Sequence, residues 1–320
     1  VTSRKRVVVT DQAFGNVVQE RSAAEACGAE FSDHQCRGED ETLAAVTGAD
    51  VVLNNFAPMT RRVQQALAPG AVVIRYGVGV DNVDLQAARE LGVRVCNVPD
   101  YGIEEVADHA AAMSLALARK LNAFDGGIRA GRWKIGEMVP GLRSLRDTVV
   151  GLVGMGRIAR AYAARMSAFG CRIIGYDPYV GADQAREAGI EASALEDVVT
   201  HSDILSLHVP LTPETRHIIG RDAIARMKQG AILINSSRGG LVDEAALAAA
   251  LTSGHLAGAG LDVFEAEPLP ADSPLRQAPN LFMSPHAGFF SDRSVNTLQR
   301  LAAEEAMRAL RGEPLRCPLT

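Results

Sequence analysis

The chain has 320 residues, 47% of them hydrophobic, and 33 Lys and Arg against 38 Asp and Glu give a formal net charge of -5. That length is enough for two domains of ordinary size, each with its own core, and the interspersed charge leaves no basic footprint for nucleic acid or an anionic membrane surface. No apolar run approaches the roughly 20 residues that span a bilayer, the N-terminal VTSRKRVVVTD does not resemble a signal peptide, and Cys27, Cys36, Cys96, Cys171 and Cys317 form no C-x-x-C pair, which points to reduced thiols in a cytoplasmic protein with no metal site.

In chain order, RVVVT, ADVVLNN, AVVIRYG and VRVCNVP read as strands separated by polar or helical stretches, a βαβ rhythm that implies one parallel sheet. EEVADHAAAMSLALARKL then has helical spacing of its apolar residues. Residues 125–147 are glycine-rich, contain the only tryptophan, Trp133, and show neither period clearly. They are expected to form an exposed arm, either a surface loop anchored by one aromatic or a dimerisation arm. A second series of strands follows in TVVGLVG, CRIIGYD, DILSLHVP, AILINSS, GAGLDVF and LFMSPH. The last helix, SVNTLQRLAAEEAMRALRG, is followed by too little chain for a further domain, so it is expected to return to the first lobe. The predicted fold is α/β with two Rossmann-like doubly wound parallel-sheet domains: a domain of residues 101–290 inserted into a discontinuous one of 1–100 and 291–320.

Within the second series, a turn joins strand to helix in VVGLVGMGRIARAYAARM. Gly154, Gly156 and Ala159 occupy the three small-residue positions of G-x-G-x-x-G/A, and Asp177 ends the next strand about 20 residues on, where a ribose-binding acid is expected. The first glycine permits the tight turn, the second lets backbone approach a pyrophosphate, and the third small residue allows close helix-strand packing. Arg157 and Ile158 open the helix and count with the glycines as cofactor contacts. An acid at Asp177 would accept the ribose hydroxyls and repel a 2′-phosphate, so NAD is favoured over NADP.

Three polar residues stand at predicted strand ends of the same lobe: Arg238 in SSRGG, Glu267 in LDVFEAEP and His286 in SPHAG. A guanidinium suits bidentate capture of a carboxylate. An imidazole held by a carboxylate is suited to deliver a proton to a carbonyl oxygen near neutral pH. Glu265 is a rival to Glu267 as the histidine's partner. His34, His109, His201, His217 and His255 are expected to be structural or exposed.

Over nearly its whole length the chain resembles the D-isomer-specific 2-hydroxyacid dehydrogenase family, through RYGVGVDNVD, CNVPDYGIEEVADH, VGLVGMGRIA, HVPLTPETRHIIG, INSSRGGLVDEAAL, LDVFEAEP and SPHAG. The resemblance implies that Arg238 binds and polarises the substrate, that Glu267 orients His286, and that His286 is the acid/base. It also implies a substrate-carboxylate cradle of the Val78 and Gly79 amides, a dinucleotide site bordered by His208, Val209, Pro210, Thr215, Asp262 and Gly288, and a homodimer formed through the cofactor lobe. The implied reaction is NAD-linked interconversion of a 2-keto acid and its D-2-hydroxy acid, with lobe closure excluding water.

HAGFFSD is similar to the HAAWYSE segment of the C-terminal-binding-protein branch, which keeps open an NADH-sensing binding protein as the alternative. Phe289 and Phe290 either wall the substrate pocket or pack at the helix entry. Formate or phosphite oxidation on the same fold is a further alternative. Ser237 stands where many relatives have alanine and is expected to be tolerated, with a possible hydrogen bond near the cofactor. Asn54 and Asn55 stand where relatives acting on 3-phosphoglycerate commonly carry an arginine, which disfavours a phosphorylated substrate, although Arg75, Arg61 and Arg62 offer compensating charge.

Overall fold

The computed structural model describes residues 4–139 and 141–320. The chain divides into two compact units, one of residues 1–102 with 290–320 and one of residues 103–289.

The first unit is built from β1 (Arg6–Val9), α1 (Val18–Ala26), β2 (Glu30–Asp33), α2 (Glu39–Val46), β3 (Val51–Asn54), α3 (Arg61–Gln64), β4 (Val72–Arg75), α4 (Leu85–Leu91) and β5 (Arg94–Asn97). Its strands are all parallel, in the order β2-β1-β3-β4-β5. β3 and β4 are buried at every position, so their valines and isoleucines meet a helix layer on each face. Continuous apolar runs, rather than alternation, are what a sheet covered on both sides requires. The C-terminal helix, Asp292–Arg311, packs on α1, β3 and β4. It starts at a capping box in which Ser291 and Ser294 satisfy each other's backbone.

The second unit contains α5 (Ile103–Ala118), α6 (Leu121–Arg129), α7 (Ile135–Met138), β6 (Val149–Val153), α8 (Arg157–Ala168), β7 (Arg172–Tyr176), α9 (Ala182–Glu187), β8 (Glu191–Ala192), α10 (Leu195–His201), β9 (Ile204–Leu207), α11 (Arg221–Arg226), β10 (Ala231–Asn235), α12 (Glu244–Thr252), β11 (Leu256–Leu261) and β12 (Leu281–Met283). Seven parallel strands run β12-β11-β10-β9-β6-β7-β8. The chain winds outward from β6 through β7 to β8, then returns to β9 on the other side of β6. That reversal makes the β6/β9 boundary a topological switch point, where a crevice forms at the carboxyl ends of the strands. α5 lies close on the sheet because β11 is small there: a Cβ at Gly258 would come within 2.8 Å of Leu117, and one at Gly260 within 2.7 Å of the Met113 sulfur.

The structure departs from the sequence expectations in three places. Two strands, β2 and β8, were not anticipated. Both lie at sheet edges with mostly exposed or half-buried residues, EFSD and EA, and so carry no apolar signature. The stretch expected to be irregular holds α6, α7 and a 3-10 turn at Leu145–Asp147. Its glycines hid the helical period, yet Gly127 is what allows α6 to meet α7, since a Cβ there would sit 2.2 Å from the Met138 sulfur. Trp133 is not an anchor within the chain, for it is 82% exposed. No helix of the described residues is long and apolar enough to cross a membrane.

Candidate active site

In the second unit, only Gly154, Met155 and Gly156 separate β6 from α8. Gly154 has φ +96°, in the left-handed region that side chains rarely adopt, and a Cβ there would lie 2.5 Å from the His208 carbonyl oxygen. Gly156 is different. It is the N-cap of α8, contributes no capping side chain, and a Cβ on it would meet nothing within 4 Å. The helix N-terminus, with its partial positive charge, is therefore open to an incoming anion. Ala159 is fully buried where α8 packs into the core. Arg157 is exposed and Ile158 half-buried at the helix entry.

Asp177 follows β7, and its two carboxylate oxygens accept hydrogen bonds from the backbone, Oδ2 from Met155 N at 2.8 Å and Oδ1 from Tyr179 N at 2.9 Å. The acid is thus tied to the glycine turn itself. Each oxygen retains a further lone pair, which fits the demand of a ribose diol.

His208, Val209 and Pro210 follow β9. The His208 Nε2 lies 2.9 Å from Ser206 Oγ, while its buried Nδ1 has no protein partner. Burial pulls the ring pKa down to about 3, so the imidazole is neutral. Thr215 closes this loop, its hydroxyl donating to Pro210 O at 2.7 Å. Ser237 does form a hydrogen bond, to the Leu207 carbonyl at 2.7 Å, which joins the loops after β9 and β10. The open helix end, the glycine cradle, the turn-bound carboxylate and the orphaned His208 nitrogen suit a dinucleotide.

Arg238 lies just beyond β10, where Asn235 Nδ2 donates to its carbonyl at 2.8 Å and its own Nη1 donates to Ser237 O at 2.8 Å. A Cβ on Gly239 would fall 1.8 Å from the Phe264 carbonyl carbon, so only glycine lets this loop lie against the one carrying Glu267. Glu267 accepts from Phe264 N at 3.0 Å through Oε1, and its Oε2 is 2.8 Å from His286 Nδ1. Burial alone would raise its pKa. The His286 hydrogen bond and charge, the Phe264 N–H and the charge of Arg238 outweigh burial and hold the carboxyl below its ordinary value.

The rival carboxylate is engaged elsewhere: Glu265 pairs with His217 Nε2 at 2.7 Å and lies 3.6 Å from Arg216. Its backbone N–H donates to Glu244 Oε1 at 2.6 Å, and burial followed by the charges of Glu265 and Glu267 raises the pKa of Glu244.

His286 itself has φ +53°, unusual for a residue with a side chain. Its N–H donates to Asp262 O at 2.8 Å. Asp262 is buried, and its carboxylate accepts from Ser284 Oγ (2.5 Å), Ala287 N (2.8 Å) and Gly288 N (2.8 Å). A Cβ on Gly288 would sit 2.8 Å from Asp262 Oδ2. His109, read from the sequence as structural or exposed, reaches this group from α5 with Nε2 at 2.8 Å from Ser284 Oγ. Sequence reasoning assigned no role to His109, Ser284 or Glu244, although each lies inside a motif that carried the family resemblance (CNVPDYGIEEVADH, SPHAG and INSSRGGLVDEAAL), because the motifs do not say which of their residues meet.

Val78 and Gly79 belong to the first unit, on the loop after β4. Gly77 O accepts from Val98 N at 3.2 Å and Val78 O from Asn97 Nδ2 at 2.7 Å. Since C=O and N–H point oppositely across a trans peptide, these bonds turn the Val78 and Gly79 amides away from β5. Arg61 is paired with Glu90, and Arg62 with Glu39 and Asp40. Phe289 is half-buried and Phe290 is 58% exposed.

A doubly wound sheet with a glycine turn at its switch point, and an Arg, Glu and His brought together at strand ends, defines a dinucleotide-binding α/β protein. Residues 111–288 match the family model "D-isomer specific 2-hydroxyacid dehydrogenase, NAD binding domain", and the chain belongs to that family.

It is 42% identical over 275 residues to D-3-phosphoglycerate dehydrogenase of Mycobacterium tuberculosis, covering 86% of this chain and 52% of that protein. It is likewise 42% identical over 259 residues to glyoxylate reductase of Korarchaeum cryptofilum, covering 80% of this chain and 78% of the relative. D-lactate dehydrogenase from Aquifex aeolicus, solved with NAD and lactic acid, superposes with a TM-score of 0.87 at 26% identity over 96% of each chain. The chain thus spans about half the length of the phosphoglycerate dehydrogenases it matches.

Proposed function

We propose that the chain is an NAD-dependent oxidoreductase that interconverts a 2-keto acid and its D-2-hydroxy acid. The observation that carries this reading is the 2.8 Å pairing of His286 Nδ1 with Glu267 Oε2 beside Arg238, in the unit that holds the glycine turn. NADH, when bound, would supply the hydride for the keto carbon. With Nδ1 committed to Glu267, proton exchange with the substrate oxygen falls to Nε2 of His286, so the carbonyl becomes an alcohol. Arg238 grips the substrate carboxylate and polarises the carbonyl. Gly154, Gly156, Arg157 and Ile158 hold the pyrophosphate, Asp177 the ribose, and His208, Val209, Pro210, Thr215, Asp262 and Gly288 border the dinucleotide.

Residues 103–289 serve as the NAD-binding domain and the remainder as the substrate domain. The relatives carry the names of dehydrogenases and reductases, which supports this reading over the sensing alternative. The chain works in the cytoplasm, in keeping with its free cysteines. It works as a homodimer, for which Leu121, Ile128, Trp133 and Ile135 offer an exposed apolar face on α6, α7 and the link between them. Sedimentation of Trp133→Ala as a monomer, against a dimeric parent, would support that face; an unchanged dimer would refute it.

The functional test is NADH oxidation across glyoxylate, hydroxypyruvate, pyruvate, branched and aromatic keto acids. Phosphohydroxypyruvate is included because the sequence expectation against phosphorylated substrates stands opposed to the name of the mycobacterial relative. Turnover on one size class, lowered about 10³-fold in His286→Ala, is expected. Silence across the panel with tight NADH binding would overturn the reading.

A further inference from the structure

The left-handed backbone at His286 needs a restraint. A non-glycine residue at φ +53° persists only where its surroundings over-determine it. Three features of the second unit supply that restraint. Asp262 O and Ser284 O both accept the His286 N–H, at 2.8 and 3.0 Å. The Asp262 carboxylate takes up the next two backbone N–H groups, those of Ala287 and Gly288. Ser284 Oγ spends its single proton on Asp262 Oδ1 at 2.5 Å.

The proton count then fixes the role of His109. A hydroxyl that donates to a carboxylate has no second proton to give, so the 2.8 Å contact between His109 Nε2 and Ser284 Oγ must be a donation from the histidine. The same Nε2 lies 3.6 Å from Asp262 Oδ1. His109 projects from the long helix α5, which is packed on α8, β10 and β11. It is thereby a rigid post outside the loop that it braces.

We propose that His109 is a positioning residue for His286. It donates its Nε2 proton to Ser284, which aims the Ser284 hydroxyl at Asp262, and Asp262 clamps the turn that presents the His286 ring to Glu267. The chain of bonds runs from α5 to the proton-transferring imidazole without touching substrate. The inference rests on the role proposed above for His286, and its test separates the two.

In His109→Ala, kcat for the best keto acid is expected to fall about tenfold, the scale of one to two lost buried hydrogen bonds, with KM for NADH unchanged. In His109→Gln, whose side-chain amide N–H reaches a similar position, most of that loss is recovered. Ser284→Ala is expected to reproduce His109→Ala, and the double variant to be no worse than either. A readout independent of turnover is the His286 ring, followed by 15N-labelled histidine NMR: its Nδ1 resonance should move in His109→Ala and return in His109→Gln. An unmoved ring with a merely lowered melting temperature would overturn the positioning role. A moved ring in a protein inactive on every keto acid would sustain the clamp while rejecting the proposed reaction.

Discussion

The two units share one architecture and differ where their first strand turns into its helix. In the first unit, eight residues, Thr10–Val17, join β1 to α1. The N-cap is the buried Val17, and Asp11 in that connection spends its carboxylate on Asn55 N and Phe56 N at 3.1 and 2.6 Å. The second unit makes the same passage in three residues and ends it on the exposed Gly156. One sheet end is satisfied by its own side chains; the other leaves a helix N-terminus clear for a ligand. The same winding therefore carries different chemistry, decided by a handful of residues at the strand ends.

The sharpest way to break that comparison is His286→Ala, which removes the proposed proton donor from the second unit alone. Turnover should fall by about 10³-fold, the middle of the range for a general acid, while fluorescence titration finds NADH affinity within about twofold of the parent. Equal losses of both would reject the division of labour.

Asp177→Asn should narrow the preference for NADH over NADPH by about 10- to 100-fold, as expected from removing one close charge. Unchanged selectivity in paired kcat/KM measurements would assign Asp177 to the turn alone. The two glycines should then separate. Gly156→Ala is expected to weaken NADH binding about tenfold without altering the melting temperature, because its Cβ meets only open space. Gly154→Ala should lower the melting temperature by several degrees, about 1 to 3 kcal/mol of strain, because its Cβ meets the His208 carbonyl. If both variants unfold alike, Gly156 serves structure and not the ligand.

The smallest effect belongs to the first unit. Glu20 is fully buried, accepts from Tyr76 Oη at 2.9 Å and lies 3.4 Å from Gln299 Nε2. Burial raises its pKa above the ordinary 4.5, even though its hydrogen bonds pull the other way. A raised folded-state pKa gives stability that is present below the ordinary value and lost as pH rises through the raised one. Glu20→Gln, which keeps an acceptor for Tyr76, should therefore flatten the fall of melting temperature with pH above 4.5, gaining about 1 to 2 °C at pH 8 and leaving NADH affinity untouched. A steeper fall would reverse the sign of the argument.

Much of the fold was legible because both sheets are buried on both faces, so β3, β4, β6 and β10 announce themselves as apolar runs. β2 and β8 did not, since an edge strand with few buried residues has no pattern to show. The glycine turn was legible as well, because its small residues answer to backbone geometry that no other residue satisfies. α6 was obscured by Gly126 and Gly127; the purpose of Gly127 becomes visible only when Met138 is seen against it.

The sequence by itself determined the alternation of strand and helix, the glycine turn, the acid at its ribose position, and the set of Arg238, Glu267 and His286 as residues worth joining. The family resemblance favoured Glu267 over Glu265 as the histidine's partner, and the tertiary structure supplied the reason, since the two lie two residues apart and Glu265 is taken up by His217 and Arg216. Only the tertiary structure placed His109 and Ser284 behind Asp262, residues separated by 175 positions in the chain. Local pattern records what a backbone needs from its own neighbours. Hydrogen bonds between the ends of distant strands depend on sheet order, which no local pattern encodes.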